Sequence, residues 1–363
     1  MIGRIIPQTA RRSGGREARR SLRAAPLSEE MRPVKPGLEG GSFKPLDAAA
    51  VKAIDQTVFQ ILEEIGLSQA PPSGVEYMTN VGAILGDDGR MRFPRAVVEN
   101  ALATCARHIT VYGQDPKNDL LLSGSRVHYG TAGAAVHVVD LAKNEYRESY
   151  LADIYDAARI VNQMDNIHFF QRPMVARDIE NPADMDFNTV YAAVKGTTKH
   201  VGSSFTEAAF MPPIFEMLHQ IAGGEDKWRA RPFVSNSNCF VVPPLRFATD
   251  ACLVMEEAVR GGMPVLLLSA GQAGATAPAS IAGTIAQALA EVISGLIYVN
   301  EMQPGHPCIC GTWPFVSDLR TGSMSGGSGE QGLLTAACSQ MLQHYDLPGG
   351  AAAGMADSKL PDV

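Results

Sequence analysis

The sequence predicts an α/β fold of the TIM (β/α)8 type, short of its last strand and carrying a helical N-terminal extension. Two observations predict it. Strand-like segments at 126–130, 167–171, 200–205, 233–238, 264–269, 307–312 and 351–355 alternate with helix candidates at 151–163, 184–195, 212–222, 247–260, 281–300 and 330–345. Strands separated by helices imply a parallel sheet. Several of the strands also end alike, in polar and aromatic residues: FFQRP (169–173), GSSFT (202–206), SNSNCF (235–240) and, most fully, CICGTWPFVSDLR (308–320). Barrel enzymes assemble their sites at the carboxyl rim, so an enzyme is the first expectation.

The N-terminal part reads differently. RRSGGREARRSLR (11–23) is basic, poor in apolar residues and followed by Pro33, Pro36 and Gly40–Gly41. A nucleic-acid arm or a transit peptide would suit the charge, but nothing aromatic is interleaved, and a solvated tail over 1–42 is the expectation. A helical region over 43–112 follows. Asp47 is placed to cap a helix on which Val51, Ile54, Val58, Ile61, Leu62 and Ile65 recur at helical spacing before Gly66. Two further helices are expected at 73–81 and 94–106. Residues 113–363 form the barrel domain, with AVHVVDLAKNEYRE (135–148) as a hairpin after its first strand. Seven strands are countable where eight close a barrel, so either the sheet stays open or the sequence is a fragment of a longer protein, and the fragment is the expectation.

Composition narrows the function. The 363 residues are 45% hydrophobic and 19% charged, with a net charge of −7, which gives the body no electrostatic case for nucleic acid. The apolar runs at 264–269 and 285–299 read as too short or too interrupted to span a bilayer, and no signal peptide opens the chain, so a cytoplasmic protein is expected. Six cysteines lie in apolar segments without a disulfide framework. Cys308 and Cys310 share a strand face, but no ligand cluster accompanies them, so buried thiols are preferred to a metal site.

Familiar catalytic motifs, among them GxSxG, HExxH, Walker A and a GxGxxG after a strand, are missing. What the rim offers is aromatic: Tyr129, Phe170, Phe205, Phe240, Trp313 and Phe315 stand within a residue or two of strand ends. Such rings suit a methylated ammonium, at about 0.5–2 kcal/mol per contact, although each could equally fill a barrel layer. Arg172 and Arg320 are candidates to hold a carboxylate, and Asp318 and Glu330 to neutralise them or face a cation.

These segments resemble a known family. GTWPFVSDLRTGSMSGGSGEQGLLTAACSQMLQHYDLP and the GMADSKLPD that follows (354–362), with VHYGTAGAAVHVVD, NIHFFQRPMVARD and GTTKHVGSSFT, are similar to the trimethylamine methyltransferase family over about residues 42–363. The resemblance is strongest to the branch without pyrrolysine, which includes glycine betaine methyltransferases. It implies a TIM barrel, a small methylated amine as methyl donor, and the Co(I) of a corrinoid (cobalamin) carried by a partner protein as acceptor. No tightly bound cofactor or metal of its own is implied. A homo-oligomer is left open, and neither nucleic acid nor membrane is expected as partner. On this reading Asp318, Arg320 and Glu330 are the catalytic candidates, and Tyr129, Phe170, Arg172, Phe205, Trp313, Phe315 and Asp357 the substrate-binding ones. Two alternatives compete. One is a lyase- or aldolase-like barrel acting on an anionic substrate through Lys199 or Lys359. The other is a barrel that binds a betaine without catalysis.

Overall fold

The alternation is realised as one parallel sheet. The computed structural model describes residues 38–355. Strands β1 (Phe169–Gln171), β2 (His200–Ser203), β3 (Val234–Asn238), β4 (Val265–Ser269), β5 (Cys308–Thr312) and β6 (Gly349–Ala351) pair in that order. The sheet curls as a TIM-type barrel lacking a strand. Its register runs through Phe169↔His200, Gly202↔Ser235, Ser237↔Leu266, Leu268↔Gly311 and Gly311↔Gly350.

Side-chain alternation divides the sheet into two faces. Phe170, Val201, Val234, Val265, Leu267, Cys308 and Cys310 join the main core beneath the helices. Phe169 and Ile309 instead pack against Ile109, Val111 and Leu120. Those three belong to a hairpin, Ile109–Val111 with Leu120–Leu122, that plugs the amino end of the barrel. The lumen face therefore comprises Phe169, Gln171, His200, Gly202, Ser235, Ser237, Leu266, Leu268, Ile309, Gly311 and Gly350.

The helices form the outer layer. They are α1 (Ala48–Gln60), α2 (Pro72–Asn80), α3 (Arg95–Thr104), α4 (Leu151–Gln163), α5 (Pro182–Gly196), α6 (Met211–Ala222), α7 (Glu225–Ala230), α8 (Thr249–Arg260), α9 (Ile281–Met302) and α10 (Gly329–His344). Asp47 caps α1 as expected, its Oδ1 accepting from Ala50 N at 2.8 Å. The chain leaves α1 through a π turn, Ile61–Ile65, that Gly66 ends at φ +69°. A Cβ there would stand 2.0 Å from Met91 O, so glycine is required twice over.

Helix α9 organises this layer, since α1, α2 and α3 all pack on it. Its Ile285, Leu289, Val292 and Ile293 are fully buried, each worth about 1.5–3 kcal/mol on burial. This corrects the reading of the apolar runs. By length and composition Ile281–Met302 could cross a membrane, its most apolar window having a mean hydropathy of 1.5, but that window is 83% buried inside the protein.

Other expectations shift. The strand predicted at 126–130 meets the barrel through Gly130, bridged to Phe169, and Tyr129, whose O accepts from His168 N at 2.7 Å, while Arg126–Val127 pairs antiparallel with Leu38–Glu39. The side chain of His168 interrupts the ladder there, with Nδ1 accepting from Tyr129 N at 2.8 Å. The last strand is Gly349–Ala351, two residues before its predicted position, because Pro348 O already accepts from Cys310 N. The sequence had also offered no helix at α7, where Trp228 is fully buried. The hairpin after residue 135 is present as His137–Asp140 with Glu145–Glu148. Apart from its last residues, the tail expected at 1–42 lies outside the described residues.

Candidate active site at the carboxyl rim

The β4–β5 ladder continues above the barrel. Trp313 N donates to Ser269 O and Phe315 N to Gly271 O, both at 2.9 Å. Gln272–Ala273, Phe315–Ser317 and Met324–Ser325 then form a small three-stranded sheet over this part of the rim. The stretch 308–320 is thus a buried strand opening into a rim structure, as its sequence suggests.

Alternation from Ile309 and Gly311 carries Trp313 to the lumen side. Its Nε1 is buried and has no hydrogen-bond partner among the described residues. Phe315 is half-buried in the small sheet. Asp318 and Arg320 meet each other at the tip of the hairpin between Phe315–Ser317 and Met324–Ser325. Arg320 N donates to Asp318 Oδ1 at 2.9 Å, and the guanidinium approaches the carboxylate at 3.3 Å. The backbone N–H and then the guanidinium of Arg320 hold the Asp318 carboxyl below its usual range. The Arg320 side chain is 89% exposed. Glu330 is exposed in the first turn of α10, where helix polarity favours a carboxylate, and Ser328 caps that helix through Gln331 N.

The remaining candidates sit on the outer side of the sheet. Tyr129 is half-exposed, with its ring stacked on His168 at 6.5 Å between centroids. Phe170 is fully buried in the main core, against which Phe205 also packs. Arg172 leaves β1 beside α5 and forms no ion pair among the described residues. Burial weakens the hold of its guanidinium on the proton, and the charge of Asp186 partly restores it. Asp186 accepts from Thr206 N at 2.6 Å and from its Oγ1 at 3.0 Å. Burial raises its carboxyl pKa, against those hydrogen bonds. Asp357 and Lys359 lie outside the described residues. The structure therefore brings Trp313 to the lumen and joins Asp318 to Arg320, but it does not gather the nine described candidates into one cluster.

Two further residues, not among these candidates, stand near the rim. Gln171 is buried on the lumen face at the carboxyl end of β1, and no side-chain hydrogen bond holds its carboxamide among the described residues. The pattern FFQRP carries the signal, since Gln171 shares parity with Phe169 while the candidates Phe170 and Arg172 share the other face. Glu291 is the second. It is buried in α9, accepts from Ser269 Oγ at 2.5 Å and from Leu245 N at 2.8 Å, and so ties the end of β4 to the loop after β3. Burial raises its carboxyl pKa.

The aldolase alternative fails on Lys199. Its Nζ donates to Val161 O at 2.7 Å and to Met164 O and Ile167 O at 2.5 Å each, just before β2 begins. It ties down the segment after α4, at the end of the barrel opposite the rim. Among the described residues no group of three His, Cys, Asp or Glu could hold a metal ion. Cys308 and Cys310 are buried free thiols.

Comparison with known proteins gives a consistent answer. The family model described as "Trimethylamine methyltransferase (MTTB)" matches residues 12–363. The chain is 29% identical over 327 residues to the trimethylamine methyltransferase MttB of Desulfitobacterium hafniense (strain DSM 10664 / DCB-2), covering 90% of this chain and 66% of that protein. It is 27% identical over 317 residues to MttB of Methanosarcina thermophila, covering 86% of this chain and 65% of that protein. It is 26% identical over 314 residues to the glycine betaine methyltransferase of D. hafniense (strain Y51), covering 86% of this chain and 65% of that protein. The chain thus spans about two-thirds of the length of these relatives.

Proposed function

The chain belongs to the trimethylamine methyltransferase family, and from that premise we propose that it moves a methyl group from a quaternary amine of the betaine type to the Co(I) of a corrinoid. The corrinoid is a co-substrate carried by a partner protein in the cytoplasm. The observation that carries this reading is the uncharged lumen. Of the lumen-face residues on the six strands only His200 can titrate, and burial lowers its pKa to about 4, so it is neutral near pH 7.

An uncharged lumen suits methyl transfer from a quaternary ammonium. The C–N bond breaks with its electron pair left on nitrogen, the departing amine is neutral, and the methyl carbon goes to the cobalt nucleophile. No proton moves, so no general acid or base is required. The protein orients the donor and stabilises its dispersing charge. Trp313 and Phe315 supply ring faces for the methylated ammonium, with Trp313 nearest the lumen, while the Asp318–Arg320 hairpin shapes the opening. A betaine is favoured over trimethylamine because its ammonium carries the positive charge at every pH.

The test is methylation of free cob(I)alamin by this chain, followed by absorbance, across a panel of methylated amines. Turnover with quaternary amines is expected. Betaine binding without methyl loss would make the chain a betaine-binding barrel instead, and neither binding nor turnover would overturn the reading.

A further inference from the structure

We propose that Gln171 is the specificity-determining residue of this site: its carboxamide takes the carboxylate of the methyl donor and separates betaines from quaternary amines that lack one. This rests on the methyl-transfer reading above.

The arginines do not reach the lumen. Arg320 is engaged with Asp318 at an exposed hairpin tip, and Arg172 leaves β1 on the outer face beside α5. A donor carboxylate inside the barrel must therefore meet neutral groups. Gln171 is placed for that. It ends β1 on the lumen face and is 7% exposed. Its backbone is fixed, since its carbonyl accepts from Thr131 Oγ1 at 2.5 Å. Its carboxamide lies over Gly202 on β2, where a Cβ would come within 1.8 Å of Oε1 and 3.3 Å of Nε2. The barrel has left out a side chain at residue 202 to admit this amide, yet no hydrogen bond to the amide forms among the described residues.

The amide makes no hydrogen bond among the described residues and its atoms are not sealed from solvent, so its N–H groups are open to a ligand in the lumen. Trp313 follows β5, four places from β1 in the strand order. In an eight-stranded closure that is the opposite wall. A zwitterion lying across the lumen would present its carboxylate to the Gln171 N–H groups and its methylammonium to the Trp313 ring. A site built around such a hydrogen bond discriminates strongly, because an analogue lacking the acceptor leaves the amide unpaired.

The experiment is calorimetric titration of the purified chain with glycine betaine and with tetramethylammonium, in wild type, Gln171→Leu and Gln171→Glu, with folding checked by circular dichroism. Wild type should prefer glycine betaine. Gln171→Leu should lose about tenfold or more in betaine affinity while keeping tetramethylammonium within about twofold. Gln171→Glu should reject betaine further and gain tetramethylammonium, since its carboxylate repels one ligand and attracts the other. In wild type, the side-chain amide resonance of Gln171 should shift with betaine and not with tetramethylammonium, a readout that needs no folded variant. Wild type that binds betaine, with an unmoved amide and unchanged variants, overturns this assignment alone. Wild type that binds only tetramethylammonium also overturns it and leaves the quaternary-amine reading standing. Wild type that binds neither ligand overturns both.

Discussion

Gln171 on β1 and Gly202 on β2 are cross-strand partners in register, and the glutamine amide occupies the space that any side chain at 202 would need. The relation makes Gly202→Ala a sharp test of the lumen. The methyl group would meet Oε1 at 1.8 Å, so the amide must swing away. We expect a stability loss of about 1–3 kcal/mol, typical of overpacking, and a fall of about tenfold or more in betaine affinity. Calorimetry of binding beside urea unfolding separates the two. Unchanged affinity in a folded variant would show that the amide's position does not matter.

Trp313→Ala should weaken quaternary-amine binding by about tenfold or more, the loss of roughly 1.4 kcal/mol expected when a ring face is removed from a desolvated ammonium. Phe170→Leu should leave the same affinity unchanged, since Phe170 faces the helices from the outer side of β1. If both substitutions weaken binding equally, the assignment of faces is wrong.

Much of this fold was legible because its signals are periodic. The α1 stripe from Val51 to Ile65, the Asp47 cap and the recurrence of strands and helices each reflect a burial pattern that the chain itself repeats. The site was less legible because it depends on parity. Residues next to one another at a strand end face opposite layers, so FFQRP sends Phe169 and Gln171 inward and Phe170 outward, and residue type alone, aromatic or charged, does not say which face a side chain takes. Asp318 and Arg320 show a different failure. Their pairing was visible in the sequence, but an aspartate whose carboxylate accepts from the backbone two residues later is also turn chemistry, and only the hairpin distinguishes the two uses.

That hairpin yields a prediction of its own. Arg320→Ala should change stability by less than about 0.5 kcal/mol, as exposed ion pairs contribute little. Asp318→Ala removes the acceptor for Arg320 N as well, and should loosen the 318–323 turn, read as faster amide exchange at Arg320. Equal exchange in the two variants would mean that the carboxylate does not organise the turn.

Lys199 can be tested against both its structural and its chemical reading. Lys199→Met leaves three carbonyls without their ammonium donor, and a loss of about 2–4 kcal/mol is expected from breaking a buried network. Borohydride added with a carbonyl substrate should trap no adduct on wild type. A trapped adduct at Lys199 would restore the aldolase alternative.

The acid side of the stability profile should carry the signature of His200. Its Nδ1 lies 2.8 Å from Tyr112 O and its Nε2 2.9 Å from Ser235 Oγ. Burial lowers its pKa from 6.5 to about 4, against a weaker upward pull from the Tyr112 carbonyl. Below pH 6.5 the unfolded chain therefore takes up a proton that the folded chain refuses until about pH 4. Stability is full above pH 6.5 and falls as the pH drops through this window, by up to about 3 kcal/mol in all. His306, also buried and depressed, adds to the slope in the same direction. His200→Gln keeps hydrogen-bonding capacity without the titration, so it should flatten the dependence of the urea midpoint on pH between about 4 and 6.5. A variant profile parallel to wild type across that window would show that His200 takes up its proton alike in the folded and unfolded chain, and the depressed histidine that keeps the lumen uncharged down to about pH 4 would be lost.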